Sequence, residues 1–459
     1  MAAAEDSTPL KRALFAPGAY TWGNKGDAAL VASFINWLKE DFGAEIIELT
    51  SFTPVSDSVH YGVPVHHMFI RPMSRRRLLF EKALSFNSAS RRFLTRLRML
   101  QADVSSPLVE AWVRLYRRAP LVARLVGVRS LYDLTRSIDH SEFAFTVPGG
   151  YLLAPRYIDD WWLLHIPNIQ LAKALGKAVI LGPCSIGPFE DRHKRHMKRL
   201  LTNVDAVVLR EEISREYLAE LDFPAARVLQ SPDIAFLHIP EPLSERGAVA
   251  AKAIADFADE AETVGVSVRD HSFPGRERPS EWMEMYLSAV VDSLAEVNDS
   301  GARVLVFSQT EEDWVTSQRL SAMLASRDVP HLLIDPLLAP SDLQLLYRDL
   351  SLLVGTRMHA NILALTSGTP VAAIAYEPKT MGILRTLDLE SWGVWIHDVG
   401  DGALVELVTA AWNERRERAE LAVESQGAIR AAFASLAAAV SEVVSAPHAA
   451  NSHSSLRND

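Results

Sequence analysis

The sequence predicts an α/β protein with two domains, each built around a parallel sheet, and three observations support this prediction. First, a strand candidate at 13–16 leads through a glycine-rich loop into a helical pattern at 28–42 and a second strand at 44–49. This β-α-β order requires a crossover and therefore implies parallel strands. Second, strand and helix patterns alternate again between 263 and 375. Third, a chain of 459 residues exceeds one ordinary hydrophobic core.

The same alternation and its interruptions predict the domain organisation. Residues 1–238 are predicted to form an N-terminal Rossmann-like domain, and 247–445 a C-terminal one, because two prolines mark a linker between them. Within the first domain, a long basic segment with helical character at about 71–139 breaks the rhythm and is predicted to be an insertion. The polar last residues, 446–459, are predicted to be a disordered tail.

The composition is that of an ordinary globular protein. Hydrophobic residues make up 48% of the chain and charged residues 23%, so a sizeable core can be buried. Cys184 is the only cysteine, so no intrachain disulfide can form, and the N-terminus lacks the apolar segment of a secretory signal. Since no uninterrupted run of about 18 apolar residues occurs, the sequence predicts no membrane span and a cytoplasmic protein.

Charge is unevenly distributed along the chain. The net charge of −10 argues against general nucleic-acid binding. In contrast, the segment 71–136 carries fifteen Lys or Arg residues against four acidic ones, which creates a local positive field. This segment is therefore either a surface for an anionic partner or a helical insertion that covers the domain or forms a dimer contact.

The loop GNKGDAAL, residues 23–30, is the first candidate ligand site. Gly23 and Gly26 let the backbone come close to a ligand, and the helix that follows offers free N–H groups and a partial positive charge. Asn24 and Asp27 supply the polar side chains. The alternative is a capped turn, in which Asp27 is the N-cap of a helix that begins at the next residue.

Two strand ends in the second domain carry further candidates. Arg357 and His359 follow the strand at 352–354, where a cation and an imidazole beside a helix N-terminus suit a phosphate or carboxylate. His359 could act as a general acid, or it could be a core histidine bonded to a backbone carbonyl. After the next strand, Lys379 could reach a phosphate and Glu377 could hold a sugar hydroxyl or orient His359. Solvated loop charges are the alternative for this pair.

An arginine and two histidines complete the candidates. Arg210 directly follows an apolar strand and could clamp an anion in the interdomain cleft, or form a salt bridge with Glu211 or Glu212. His193 and His196 have a spacing that metal ligands can adopt, but the surrounding sequence EDRHKRH predicts a solvated helix face. We therefore predict no metal site.

In their order along the chain, these motifs resemble the polysaccharide pyruvyl transferase family. The motifs are GNKGDAAL (23–30), PGG (148–150), GPCSIGPF (182–189), REEIS (210–214), SPDIAF (231–236), VGVSVR (264–269), VGTRMH (354–359) and YEPK (376–379). Each is weak alone, but their ordered occurrence is specific, and only 71–139 and the tail lie outside it. Pro148 replaces a more typical small residue, and Asp233 follows its proline instead of preceding it. Neither departure is expected to touch the catalytic groups.

The resemblance implies a GT-B-like fold, in which two Rossmann-like domains face each other across a cleft. It also implies transfer of the pyruvyl group of phosphoenolpyruvate onto a sugar as a cyclic ketal, with no cofactor. By resemblance, Arg210, His359 and Lys379 hold and activate phosphoenolpyruvate. His359 would protonate either the methylene carbon or the leaving phosphate, and Asp27 would line the acceptor side or act as base. The remaining predicted substrate-binding residues are Arg357, Glu377, Asn24, Gly23 and Gly26.

Two other functions and one partner follow from the same sequence. A GT-B glycosyltransferase that uses a nucleotide sugar is the alternative enzyme, although Arg385 stands where the Glu-x7-Glu pattern of many retaining enzymes would place the second glutamate after Glu377. A non-catalytic assembly partner is the alternative outside enzymes. The basic segment 71–136 could dock an anionic membrane and bring the cleft to a lipid-linked sugar acceptor.

Overall fold

The computed structural model describes residues 13–16, 24–51, 53–69, 88–126, 129–153, 163, 165–189 and 191–446. Gly23, the first part of the basic segment and nearly all of the predicted tail lie outside the described residues. The predicted domain boundaries at 238 and 247 stay predictions, and the sheets are described below by the strands they contain.

The first sheet is wholly parallel and has a Rossmann-like strand order. Its strands are β1 (Ala13–Ala16), β2 (Ile46–Ser51), β3 (Val65–His67), β4 (Phe143–Phe145), β5 (Gly149–Leu153), β6 (Ala178–Gly187), β7 (Ala206–Leu209) and β8 (Val228–Gln230). Their order is β3-β2-β1-β4-β6-β7-β8, and β5 pairs with the second half of the long strand β6. The chain reverses its direction of travel between β1 and β4, which makes this the switch point where ligands bind in open α/β sheets.

The second sheet repeats this arrangement with six parallel strands. They are β9 (Thr263–Ser267), β10 (Arg303–Phe307), β11 (His331–Leu333), β12 (Leu352–Gly355), β13 (Val371–Ala375) and β14 (Gly393–Trp395). The order β11-β10-β9-β12-β13-β14 places the switch point between β9 and β12. Apart from its two outermost strands, this sheet is almost completely buried, as expected for strands covered by helices on both faces.

Helices connect and cover the strands. They are α1 (Lys25–Phe42), α2 (Pro54–Tyr61), α3 (Ser88–Arg118), α4 (Pro120–Val126), α5 (Arg129–His140), α6 (Ile166–Ala174), α7 (Asp191–Leu201), α8 (Ile213–Ala219), α9 (Glu245–Ala258), α10 (Pro279–Asp299), α11 (Trp314–Ser326), α12 (Pro340–Tyr347), α13 (Met358–Thr366), α14 (Pro378–Thr386), α15 (Ala403–Asn413) and α16 (Arg415–Ser445). The last two helices, α15 and α16, are separated only by Glu414.

In its described part, the basic segment forms helices α3 to α5 between β3 and β4, where the prediction put an insertion. Their packing shows that one sequence prediction was wrong. His193 and His196 do not lie on a solvated face, because both are buried on α7, His196 with its Nε2 3.3 Å from the Asp103 carboxylate of α3. Together with Met197 they lie on the buried face of α7, while Arg195 and Lys198 are exposed. The covering helix α3, which is distant in sequence, decides this burial.

The last helix, α16, packs against α1 of the first half and against α13 and α15 of the second. Phe433 of α16 lies edge-on to Trp37 of α1, with ring centroids 5.8 Å apart, and joins an aromatic cluster with Phe42 and Phe145. Among the described residues, α16 is also the one helix long and apolar enough to cross a membrane, judged by length and composition, with a mean hydropathy of 1.5. Much of that hydropathy comes from alanines, and the face bearing Phe433 contributes to the core.

Candidate active site

The N-terminus of α1 approaches the second half of the chain. The helix begins at Lys25, three residues earlier than one predicted alternative, and its N-cap is Asn24 instead of Asp27. Asn24 has an extended backbone, and its side-chain oxygen accepts hydrogen bonds from the N–H groups of Gly26 (3.1 Å) and Asp27 (3.5 Å). Its amide nitrogen donates to the Asp27 carboxylate at 2.7 Å. Asn24 therefore orients the Asp27 carboxylate, and Asp27 itself does not cap the helix.

Two contacts join this helix end to the loops of the second sheet. Asn24 forms an antiparallel bridge with Thr310, which follows β10. Gly26 lies directly against His359, since a Cβ atom at position 26 would stand 2.2 Å from the imidazole Nδ1. No side chain larger than hydrogen fits between the two without displacement. The close approach of His359 thus explains why position 26 is a glycine. The two halves of the protein contact each other at predicted site residues.

Arg357 is held by a carboxylate that the sequence prediction did not include. Its Nε and Nη2 atoms donate to the two oxygens of Asp313 at 3.0 and 2.6 Å, and Nη2 also lies 3.3 Å from the hydroxyl of Thr310. Burial alone would lower the pKa of Arg357, but the hydrogen bond and the charge of Asp313 raise it. The guanidinium is therefore fixed in place as a permanent cation.

Arg210 is almost completely buried and engages two carboxylates. Its Nη1 lies 2.5 Å from Asp233 and its Nε 3.4 Å from Glu211, while Nε also donates to Ser185 at 2.8 Å. The predicted alternative of a salt bridge to Glu211 is thus present, and Asp233 adds a closer one. Burial would raise the pKa of Asp233, but the charge of Arg210 holds it below its usual value. For Glu211, burial dominates and raises the pKa.

Lys379 lies in the first turn of α14, as predicted for a residue just after β13. Its ammonium nitrogen is 2.5 Å from Glu377 and stands over the ring of Tyr376, 5.7 Å from the centroid. Burial alone would lower the pKa of Lys379, but the nearby Tyr376 and Glu377 raise it. Glu377 therefore orients Lys379. Its predicted contact with His359 is absent from the hydrogen bonds and ion pairs found among the described residues.

His359 stands in the first turn of α13, at the switch point of the second sheet. Burial lowers the pKa of His359 to about 4, against the attraction of Asp233, and the cations Arg210, Lys379 and Arg357 lower it further. The imidazole is therefore neutral at pH 7, so its 4.0 Å approach to Asp233 is not an ion pair. Within the described part of the chain, its buried Nε2 atom has no hydrogen-bond partner. A ligand in the site could supply one.

Asp27 shows the opposite shift. Burial raises the pKa of Asp27 to about 6, although Lys379, Arg210 and Arg357 all act to lower it, and Asp233 adds to the rise. These effects on pKa show that Asp27, His359 and the three cations lie near one another, and Asp27, His359 and Lys379 stand in the first turns of α1, α13 and α14. A carboxyl group with such a pKa near a titratable imidazole is typical of sites that transfer protons.

The cations of the site are not unpaired positive charges. Every one of the three cations has a carboxylate partner within the protein. The pairs are Arg210 with Asp233 and Glu211, Arg357 with Asp313, and Lys379 with Glu377. The carboxylates hold the cations in position before any ligand enters. They also mean that an incoming anion would enter a site in which each cation already has at least one carboxylate partner.

Asp233 corrects one expectation about the sequence. Its departure from the usual residue order was expected to lie away from the catalytic groups, but its carboxylate contacts Arg210 and approaches His359. Asp233 caps the short 3-10 turn Ile234–Leu237 through its other oxygen, which accepts from the N–H of Ala235 at 2.9 Å. The signal that could have identified it was its place directly after β8, at the same sheet edge as Arg210.

A cavity of about 350 Å³ lies between the edges of the two sheets, and its lining includes Glu212 and Pro378, the sequence neighbours of Glu211 and Lys379. Ile213 and Gln230 line it from the first half, and Met381, Arg385 and Trp395 from the second. It is largely apolar with polar groups at its rim. In the described residues, no group of three or more His, Cys, Asp or Glu side chains has the arrangement of a metal site. The predicted absence of a metal stays a prediction.

Comparison with known proteins places the chain in a family. The family model for polysaccharide pyruvyl transferase matches residues 24–378, which include the site residues described above except Lys379, the residue directly after the match. The chain belongs to this family. It is also 22% identical over 424 residues to the amylovoran biosynthesis protein AmsJ of Erwinia amylovora, a match that covers 89% of this chain and 95% of that protein.

Solved structures confirm the GT-B-like fold predicted for this pyruvyl transferase family member. A glycosyltransferase from Rickettsia africae gives a TM-score of 0.55 at 11% identity, over 95% of this chain and 100% of the other. HepE of Anabaena in complex with UDP and glucose gives 0.52 at 13% identity, with the same coverage. At such identities the likeness concerns the fold alone. The chain is thus a polysaccharide biosynthesis transferase by family, with a GT-B architecture.

Proposed function

We propose that this protein transfers the pyruvyl group of phosphoenolpyruvate onto a sugar of a polysaccharide, glycolipid or cell-wall precursor and closes it into a pyruvate ketal. The observation that carries the proposal is the convergence of Arg210, Arg357, Lys379 and His359 in a chain of the polysaccharide pyruvyl transferase family. Asp27, His359 and Lys379 each lie in the first turn of a helix, and helix N-termini favour phosphate and carboxylate ligands.

Phosphoenolpyruvate fits the chemistry of these groups. It carries a phosphate and a carboxylate, and the planar guanidinium groups of Arg210 and Arg357 suit such anions, while Lys379 supplies a compact charge. The buried Nε2 of His359, which has no partner among the described residues, would contact the bound anion. Glu377, Asp313 and Asp233 would act as positioning residues that hold the cations. Asn24 and Gly26 would shape the wall formed by α1.

The reaction requires one proton on carbon and two sugar hydroxyl groups. Protonation of the methylene carbon makes C2 electrophilic, and a first sugar hydroxyl adds there with loss of its proton. The phosphate then leaves, and a second hydroxyl of the same sugar adds to C2 and closes the ketal. The second hydroxyl proton leaves with the phosphate. Protons therefore balance over the whole reaction, and the products are the ketal and inorganic phosphate.

The pKa values support a division of roles between His359 and Asp27. The neutral imidazole of His359 cannot donate a proton in the free site, but the charge of bound phosphoenolpyruvate would raise its pKa and load it with a proton. Asp27, with a pKa of about 6, is ionised at neutral pH and is a stronger base than an ordinary carboxylate. We assign proton donation to His359 and deprotonation of the acceptor hydroxyl to Asp27.

The acceptor is proposed to enter from the first sheet's side of the cleft, next to Asp27. The apolar cavity with Trp395 on its wall offers a surface on which a sugar ring could pack. A lipid-linked acceptor would require the enzyme to work at the cytoplasmic face of a membrane. The basic segment 71–136 would then provide a peripheral contact with anionic lipid.

The direct test is incubation of the protein with phosphoenolpyruvate and a panel of nucleotide-activated and lipid-linked hexoses. The proposal predicts release of inorganic phosphate in step with formation of a sugar whose mass has increased by one ketal-linked pyruvate. His359→Ala with an intact fold should form no product. If the same panel instead gives hexose transfer from a nucleotide sugar, without any use of phosphoenolpyruvate, the alternative glycosyltransferase function is correct.

A further inference from the structure

The corner between α3 and α4 presents aliphatic and cationic side chains together at the surface. Leu121, Val122 and Leu125 are 75%, 45% and 84% exposed, although leucine is normally among the more buried residue types. Positions 121 and 125 are one helical turn apart and lie on the same face. Ala123 is completely buried and packs the short helix against the rest of the protein, whereas the three aliphatic side chains are exposed to solvent.

Three arginines frame these aliphatic side chains. Arg117 and Arg118 end α3 just before the corner, and Arg124 lies between the exposed aliphatic positions; all three are exposed. Arg117 is also anchored, since its Nη2 donates to the carbonyl of Leu175 at 3.2 Å. The sequence has no acidic residue between Glu110 and Asp133. The corner is therefore cationic in a protein whose net charge is −10.

We propose that this corner is a docking surface for a membrane that contains anionic phospholipids. We name it the corner patch and define it as Arg117, Arg118, Leu121, Val122, Arg124 and Leu125. Aliphatic side chains insert at the boundary between headgroups and acyl chains, while arginines bind the lipid phosphates. An acidic protein partner would complement the arginines but not the aliphatic residues, and an apolar one would leave the arginines without counter-charges.

The proposal does not depend on the pyruvyl transfer reaction, because it rests on surface exposure and charge at a place outside the active site. A surface that docks the enzyme on a membrane would bring it to a lipid-linked acceptor, so the two proposals agree. Either one can fail without the other. A vesicle-binding assay tests the patch, and activity on a water-soluble acceptor tests the chemistry.

The chain offers a closely matched control for the patch. Val55 and Val59 of α2 are 82% and 79% exposed and are also one turn apart. In contrast to the corner patch, α2 contains no arginine or lysine. The double variants Leu121→Glu/Leu125→Glu and Val55→Glu/Val59→Glu therefore change the same number of exposed aliphatic residues on different faces. Neither removes a buried side chain, so both should keep the wild-type melting temperature.

The experiment is co-sedimentation of the full-length protein with phosphatidylcholine vesicles that either contain or lack phosphatidylglycerol. The wild type should bind the anionic vesicles, and added salt should weaken the binding. Leu121→Glu/Leu125→Glu should lower the partition coefficient by about tenfold or more, while Val55→Glu/Val59→Glu should bind as the wild type does. Arg118→Gln/Arg124→Gln should bind less and lose most of its preference for the anionic vesicles.

Three results would overturn the proposal. One is a wild-type protein that stays in the supernatant with anionic vesicles. Another is equal binding of the wild type and Leu121→Glu/Leu125→Glu. The third is a wild type that dimerises in analytical ultracentrifugation, with the dimer abolished by Leu121→Glu/Leu125→Glu, since the patch would then be a self-contact surface.

Discussion

Asp27→Asn is expected to stabilise the fold at neutral pH while it removes activity. The folded protein raises the pKa of Asp27 from 3.8 to about 6, mainly through burial. A difference of about 2 pKa units corresponds to about 3 kcal/mol of unfavourable free energy for the ionised form. Because the carboxyl keeps some contact with solvent, we expect Asp27→Asn to gain about 2 kcal/mol of stability at pH 7. Asparagine can still accept the hydrogen bond from Asn24.

The pH dependence of this gain has a definite sign. Since the folded pKa is the higher one, the folded state binds the proton of Asp27 more tightly than the unfolded state does. The stability that the protonated carboxyl contributes is complete below pH 3.8 and is lost as the pH rises through about 6. The advantage of Asp27→Asn should therefore be absent at pH 4, grow between pH 4 and 6, and stay constant above.

Urea unfolding at several pH values measures this prediction. Asp256→Asn is the control, because Asp256 is an exposed partner of Lys252 and its replacement should change the midpoint little at any pH. Activity should fall by about 10² to 10⁴ in Asp27→Asn, and the wild-type rate should decline below pH 6 as the base is protonated. A variant that is less stable than the wild type at pH 7, or a gain that does not vary with pH, would refute the reasoning.

Three further predictions concern the contacts that assemble the site. Gly26→Ala introduces a Cβ atom within 2.2 Å of His359, so urea unfolding should show a loss of about 1 to 3 kcal/mol, and phosphoenolpyruvate binding should weaken; unchanged binding would show that this close approach is unimportant. Asp313→Asn leaves Arg357 without its counter-charge and should lower stability by about 3 kcal/mol and raise the KM for phosphoenolpyruvate more than it lowers kcat; an unaltered KM would contradict the positioning role. Binding of phosphoenolpyruvate should take up protons, measured by calorimetry in buffers of different ionisation enthalpy, and His359→Gln should reduce this uptake; an equal uptake in the variant would remove His359 as the proton acceptor.

The elements that the sequence predicted well are those set by local pattern. The strands after which Arg210, His359 and Lys379 stand are short apolar runs that end in polar residues, and parallel strands bring such ends to one edge of a sheet. The start of α13 at Met358 followed from the same logic. The meeting of the two halves at these residues required only that two such sheets face each other.

The features that the sequence did not predict depend on partners distant in the chain. Asn24 became the N-cap instead of Asp27 because its extended backbone aims its side chain at two N–H groups, and no residue spacing distinguishes the two choices. His193 is buried because of tertiary packing, although the residues beside it are mostly charged. The pairing of Arg357 with Asp313 spans 44 positions. Such a pairing decides whether a cation has a carboxylate partner, and the residues next to the cation in the sequence do not predict it.

The most direct test of the central claim is a calorimetric titration of phosphoenolpyruvate into the wild type and into Lys379→Gln. The account predicts that the wild type binds this small anion without any nucleotide sugar present. It also predicts an affinity at least about tenfold lower in the variant, as expected for the loss of a charge-assisted hydrogen bond. A wild type that does not bind phosphoenolpyruvate, or a variant that binds it equally well, would contradict the assignment of this site.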